Sequence, residues 1–160
     1  MAKKPRMHYP FVQKIHHRVR YGETDRMGVA YYAHYLNWME AGRAEYMISI
    51  GFDYSAFEDD RDLFLPVVRC SVDYRSAARY NEMVQVSAQV THVSIARLEF
   101  RYWVHSDADE RLIATGHTVQ VCMGGEGRIR RMHPEVIRYL TAEPVSEAEP
   151  PPDSEAESAA

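Results

Sequence analysis

The sequence predicts an α+β fold, a five-stranded antiparallel sheet wrapped around one long helix. Three observations predict it. Five stretches alternate apolar and polar residues with the period of two that marks a half-buried strand. Only one long stretch carries a sustained apolar stripe at helical spacing. That helix follows the first strand, and the other four strands come after it on short connections, which favour antiparallel pairing over βαβ crossovers.

In the first strand, KIHHRVRYGE, Ile15, His17, Val19 and Tyr21 point one way and His16, Arg18 and Arg20 the other. The turn-rich GETDRMGVAYY leads into the helix HYLNWMEAGRAEYMISIG, where Tyr35, Met39, Gly42 and Tyr46 share a stripe flanked by Leu36, Arg43, Met47 and Ile50. Gly51 suits the position just past the helix end. Beyond the polar loop DYSAFEDDRD, Leu65 to Tyr74 is apolar at Val68, Cys70, Val72 and Tyr74. Met83 to Thr91 sets Val84, Val86, Ala88 and Val90 against Gln85, Ser87, Gln89 and Thr91. Arg97 to His105 alternates through Leu98, Phe100, Tyr102 and Val104, and Ile113 to Met123 puts Ile113, Thr115, His117, Val119, Val121 and Met123 on one face. Connections such as SDADER suit hairpins, so these four strands read as a meander. Pro134 to Leu140 reads as a short closing helix, with proline tolerated in the first turn. A ferredoxin-like fold requires a second crossover helix, and a lipocalin barrel inserts no helix after its first strand. The order points to a hot-dog-like sheet around its helix.

At 160 residues the chain is the size of one domain, and no apolar run approaches the ~18 residues of a membrane-spanning helix. The basic N-terminus has no apolar core of a secretory signal, which makes the cytoplasm the default compartment. The formal net charge of −4 divides unevenly. The segment 141–160 holds six of the 23 acidic residues and none of the 19 basic ones, so the body carries a net +2. This reads as a flexible segment over 1–13, one domain over 14–140 and a disordered acidic tail over 141–160. A tail that docks on Arg128, Arg130 and Arg131 is the alternative. A nearly neutral body argues against a nucleic-acid binder. Cys70 and Cys122, both in strands, read as free buried thiols. The scattered histidines give no metal-ligand spacing, and phosphate-loop, dinucleotide and nucleophile-elbow motifs are absent.

The informative segment runs from Tyr21 to Tyr35. It is a strand end, a glycine-containing loop and a helix start with no Ser, Thr, Asp or Asn immediately before it. An uncapped helix start offers free amides and a positive dipole end, which can polarise a carbonyl or hold an oxyanion. Asp25 lies in the loop leading there, and a carboxylate near such a carbonyl can act as nucleophile or as general base for water. The plainer reading is that Asp25 caps the Gly28 turn and water satisfies the helix start. Spacing alone favours the plainer reading.

The run Tyr21-x-x-Thr24-Asp25-x-x-Gly28-Val29-x-Tyr31-Tyr32-x-x-Tyr35-Leu36-x-x-x-Glu40-x-x-Arg43 resembles the signature of the 4-hydroxybenzoyl-CoA thioesterase family, which includes the Tol-Pal-associated acyl-CoA thioesterases. The similarity continues through Val67-Val68-Arg69 and Arg75-Ser76-Ala77-Ala78-Arg79 and covers roughly residues 14 to 140. The resemblance implies the hot-dog fold and hydrolysis of an acyl-CoA thioester to free acid and CoA, without metal or cofactor. It implies Asp25 as the catalytic aspartate and Tyr32 as the residue whose backbone N–H polarises the thioester carbonyl. It also implies a homo-oligomer, a dimer or tetramer, with sites between subunits. Two departures stand out: many acyl-CoA members have His where this chain has Tyr32, and Asn is common where it has His34. The Tyr31-Tyr32 pair is nearer the hydroxybenzoyl pattern.

Gly28, Val29, Tyr31 and His34 are candidate substrate contacts, the clusters Arg75/Arg79 and Arg128/Arg130/Arg131 are candidates for the CoA phosphates, and Arg97 is a candidate for the interface groove. His92 and Ser94 could line that groove. Glu40 is either a second carboxylate or the partner of Arg43, three residues on along the helix. Two rivals share the fold: an acyl-ACP thioesterase, and a non-catalytic acyl-CoA-binding or scaffold protein.

Overall fold

The computed structural model describes residues 12–52, 55 and 62–141. Nearly all of the expected N-terminal segment and acidic tail, and most of the polar loop after the first helix, lie outside the described residues. In chain order the elements are β1 (Gln13–Arg18), a 3-10 turn (Tyr21–Glu23), α1 (His34–Ser49), β2 (Leu63–Phe64), β3 (Val67–Tyr74), β4 (Met83–Val93), β5 (Arg97–Ser106), β6 (Leu112–Val121), β7 (Met123–Gly124) and α2 (Pro134–Thr141). The five long strands form one antiparallel sheet in the order β1-β4-β5-β6-β3, and β2 and β7 pair separately. Among the described residues the fold is α+β, a five-stranded sheet with one long helix packed on it, a separate two-stranded pair, and a short helix over Pro134–Thr141.

The meander expectation fails at one strand. β3 does not pair with β4; it crosses to the far edge and pairs with β6, Tyr74 opposite Ala114. The connection 75–82 makes this crossing possible because side chains tether it across the sheet end. The Arg111 guanidinium donates to Ser76 Oγ at 2.6 Å, to the Ala77 carbonyl at 3.0 Å and to Glu82 Oε1 at 2.7 Å. As an edge strand β3 has no buried residue, and Val68 is 54% exposed. Cys70, expected to be buried, is therefore exposed, whereas Cys122 is buried as expected, and both are free thiols.

α1 buries Tyr35, Trp38, Met39, Gly42, Tyr46 and Met47, the expected stripe plus the tryptophan. Gly42 permits close approach to the sheet, since a Cβ there would lie 3.3 Å from Val86 Cγ1 and 3.6 Å from Ala88 Cβ. The helix ends where expected. Gly51 takes φ +80, its N–H donates to the Ile48 carbonyl, and Phe52 N–H reaches back to Met47, a paired closure that needs a left-handed residue.

Two strand faces differ from expectation. Tyr21 leaves the Ile15–His17–Val19 face and is 78% exposed, because the chain folds into the 3-10 turn as Glu23 reaches back to the Arg20 N–H. On β6 the residues turned toward α1 are Ala114, Gly116, Thr118 and Gln120, opposite Val104, Tyr102, Phe100 and Leu98 of β5. The Met39 side chain fills the space beside Gly116, and Tyr102, Thr118 and Gln120 join in a buried hydrogen-bonded chain. A small and polar core face gives no hydrophobic signal, so the alternation marked the opposite side.

Candidate active site

Residues 23–31 form a small hairpin. Thr24 bridges Ala30, the Asp25 N–H donates to the Val29 carbonyl at 2.9 Å, and the Tyr31 N–H donates to the Glu23 carbonyl at 2.8 Å. The tip is a turn closed by Gly28 N–H on the Asp25 carbonyl at 2.9 Å, with Gly28 at φ +74. Asp25 Oδ1 accepts the Met27 N–H at 2.8 Å. That is the turn-capping reading, yet it engages one oxygen only; among the described residues nothing donates to Oδ2. The half-buried Asp25 keeps a free carboxylate oxygen beside the loop.

The chain from this hairpin enters α1 without a side-chain cap, since Ala33 is the N-cap. The Tyr31 carbonyl accepts the His34 N–H at 3.0 Å. Because the peptide is trans and planar, the N–H of Tyr32 on that same peptide unit points the opposite way, out of the helix start. Among the described residues no acceptor takes it. The Tyr32 carbonyl accepts the Tyr74 hydroxyl at 2.8 Å, so β3 holds the next peptide unit. The result is a fixed, unsatisfied donor at the positive end of α1, a few residues from a carboxylate. Such a pair can polarise a carbonyl and deliver water or a nucleophile to it.

The other candidates divide into two groups. The connection 75–82 lies against the hairpin through the Val29–Arg79 bridge and the Ala30 N–H to Ala78 carbonyl bond, which brings Arg79 alongside the hairpin and keeps Arg75 on the same exposed segment. Tyr31 packs on Tyr32 with ring centroids 4.5 Å apart and on His34 at 6.1 Å, so these aromatic residues gather at the helix start. Arg97, by contrast, sits at the β4–β5 turn, where the Ser94 N–H meets its carbonyl. That is the far end of β4, roughly 33 Å along the strand at about 3.3 Å per residue. There its Nε binds Glu99 at 2.6 Å. Arg128, Arg130 and Arg131 belong to that end too, since Met132 N–H reaches the Ile95 carbonyl, and Arg130 is paired with Glu126. One protomer therefore does not unite Arg97 with Asp25.

Glu40 is exposed, and among the described residues it makes no pair with Arg43. Arg43 instead reaches under the helix, where its guanidinium donates to the Gln120 amide oxygen at 3.0 Å.

Sequence reasoning missed Glu23. It is only 4% exposed, and four N–H donors converge on its carboxylate: the Arg20 backbone at 2.8 Å, Arg20 Nη2 at 3.1 Å, His17 Nε2 at 2.8 Å and Trp38 Nε1 at 3.1 Å. Burial pushes its pKa up, but hydrogen bonds from the Arg20 backbone, the Arg20 side chain, His17 and Trp38 outweigh that and bring it down to about 2. An ionised carboxylate accepts only, so His17 carries its proton on Nε2. The signal in the sequence was the Arg20-x-x-Glu23 spacing, in which a glutamate three residues into a helical turn bonds back to the first backbone N–H.

Comparison with known proteins follows the same lines. The chain is 32% identical over 83 residues to an acyl-CoA thioesterase, YbgC, of Haemophilus influenzae, covering 52% of this chain and 61% of that one. It is 26% identical over 121 residues to a 1,4-dihydroxy-2-naphthoyl-CoA hydrolase of Synechococcus elongatus, covering 75% and 88%. The crystal structure of a DHNA-CoA thioesterase from Staphylococcus aureus superposes with a TM-score of 0.74 at 27% identity, covering 81% of this chain and 89% of that one. The arrangement of sheet and helix is the hot-dog fold, and the chain, matched over residues 19–156, belongs to the thioesterase-like superfamily.

Proposed function

We propose that the protein hydrolyses acyl-CoA thioesters to free acid and CoA, with Asp25 and the Tyr32 N–H as the reacting pair. The observation that carries this reading is that one hairpin–helix segment presents both a Tyr32 N–H that no described residue accepts and an Asp25 whose Oδ2 is free. The thioester carbonyl accepts from the Tyr32 N–H. Asp25 then takes a proton from water as the water oxygen attacks the carbonyl carbon, or attacks that carbon itself to form an anhydride that water opens. The negative charge that develops on the carbonyl oxygen is held at the helix start, the C–S bond breaks, and CoA leaves as thiolate, which is protonated. Neither route needs a metal ion. Arg75 and Arg79, exposed beside the hairpin, meet the CoA phosphates, and Tyr31 and His34 flank the acyl group.

The protein works as a homo-oligomer. Edge strand β3 exposes Val67, Val68 and Tyr74 on a length of eight residues, and such an edge is suited to pair with the same strand of a second copy. Tyr74 touches the peptide next to the catalytic donor, so this pairing sets the second subunit beside the site. The cytoplasm suits two unpaired thiols.

The test is thiol release by the purified full-length chain from short-chain, long-chain and aromatic CoA thioesters, and from an acyl-carrier-protein thioester, with and without EDTA. Turnover of at least one CoA thioester, unaffected by EDTA, is expected. Binding of acyl-CoA without turnover would support a non-catalytic role, and turnover of the carrier-protein thioester alone would shift the substrate.

A further inference from the structure

The catalytic hairpin has a single base, formed by Glu23 and Tyr31, and everything between carries Asp25 at one side and leads to the Tyr32 N–H at the other. How far apart those two groups stand depends on how the base sits on α1. Besides the backbone run from Tyr31 into α1, the Glu23 side chain joins them. Its Oε1 accepts from Trp38 Nε1, one turn into α1, and its Oε2 accepts from His17 of β1 and from the Arg20 N–H. Its own backbone carbonyl holds the Tyr31 N–H, one residue before the peptide donor. Trp38 is itself fixed, with its ring 4.7 Å from Tyr35 and 5.1 Å from His17.

We propose that Glu23 is a positioning residue for thioester hydrolysis, a brace between α1, β1 and the hairpin base that sets Asp25 and the Tyr32 N–H at their working separation. The inference rests on the thioesterase reading above. The chemistry of the four donors explains why a carboxylate stands here. Two oxygens provide about four acceptor positions and no donor, which matches four converging N–H groups. Glutamine offers one oxygen and sets an NH2 against donors. The hydrogen bonds also keep the carboxyl ionised well below neutral pH, so the brace does not loosen where the enzyme works. Misplacing a reacting group by about 1 Å can cost on the order of 10²-fold in rate, which makes a brace of this kind consequential without any contact to substrate.

Two variants test it: Glu23→Gln, and Trp38→Phe, which keeps an aromatic ring but removes the N–H that grips Oε1 together with part of the buried indole. For each, kcat and KM are measured together with the melting temperature. A second readout is the C=O stretch of a carbonyl-13C acyl-CoA bound to Asp25→Asn protein, with and without the brace variant. The expected result is a fall in kcat of about tenfold with KM within about twofold of wild type, and a carbonyl stretch shifted back toward that of free thioester. If Glu23→Gln does not fold, Trp38→Phe decides. Folded variants that keep wild-type kcat, or whose bound carbonyl stretch is unmoved, overturn the inference while leaving the thioesterase reading intact. A wild-type chain without turnover overturns both.

Discussion

The Tyr74 hydroxyl donates to the Tyr32 carbonyl at 2.8 Å, tying the exposed edge strand to the peptide next to the Tyr32 N–H. Burial raises the Tyr74 pKa above that of an ordinary tyrosine, so the hydroxyl stays protonated and keeps donating across the working pH range. Tyr74→Phe removes the bond and little else. A hydrogen bond of this kind contributes about 1 kcal/mol, so kcat should fall by roughly fivefold with the fold preserved. Steady-state kinetics on a CoA thioester check it, and unchanged kcat would mean the peptide holds its place without β3.

Gly28 occupies the left-handed region at φ +74, and a Cβ there would meet nothing within 4 Å. Gly28→Ala therefore carries a backbone cost of about 1 kcal/mol and no clash. The melting temperature should drop by a few degrees, while activity falls more than stability because the strained turn carries Asp25. Thermal melts alongside kcat separate the two effects.

Glu23 gives a stability signature in acid. Its folded pKa of about 2 lies below the ordinary value of 4.5, so the unfolded chain takes up the proton first as pH falls. Its contribution is complete above about 4.5 and drains away as pH drops toward 2. Urea midpoints measured through that window should fall less steeply for Glu23→Gln than for wild type. Parallel slopes would show that the carboxylate does not carry the linkage.

Val68 is 54% exposed on β3, so Val68→Lys should leave the protomer folded and place charge on the pairing edge. Light scattering should show the wild type above the 18.5 kDa of one chain and the variant shifted toward it. A wild type that runs as an active monomer would refute an oligomeric site.

Much of this was legible in the residues, for identifiable reasons. The helix and the five long strands announce themselves through the period of their apolar residues, and Gly51 ends α1 because glycine takes that backbone angle without strain. The Asp25–Gly28 turn and the uncapped helix start were equally visible, since both are local. Non-local choices were not. The connection leading from β3 to β4 is tethered by Arg111, which reaches Ser76 and Glu82 from 35 and 29 residues away, and no local pattern encodes that. The inward face of β6 was hidden because Gly116, Thr118 and Gln120 carry no hydrophobic alternation. The burial of Glu23 was hidden because it depends on Trp38, 15 residues on, turning its indole N–H back toward the hairpin.

On the proposed mechanism Asp25 acts chemically, with a carboxylate oxygen to spare after capping its turn. Asp25→Asn retains an oxygen to accept the Met27 N–H, so the turn and the fold should persist. The deciding measurement is kcat for Asp25→Asn on the best CoA thioester, with the melting temperature recorded on the same preparation. A loss on the order of 10²-fold or more is expected, from the usual size of acid–base contributions, at near-wild-type stability. Turnover close to that of the wild type in a folded variant would contradict it.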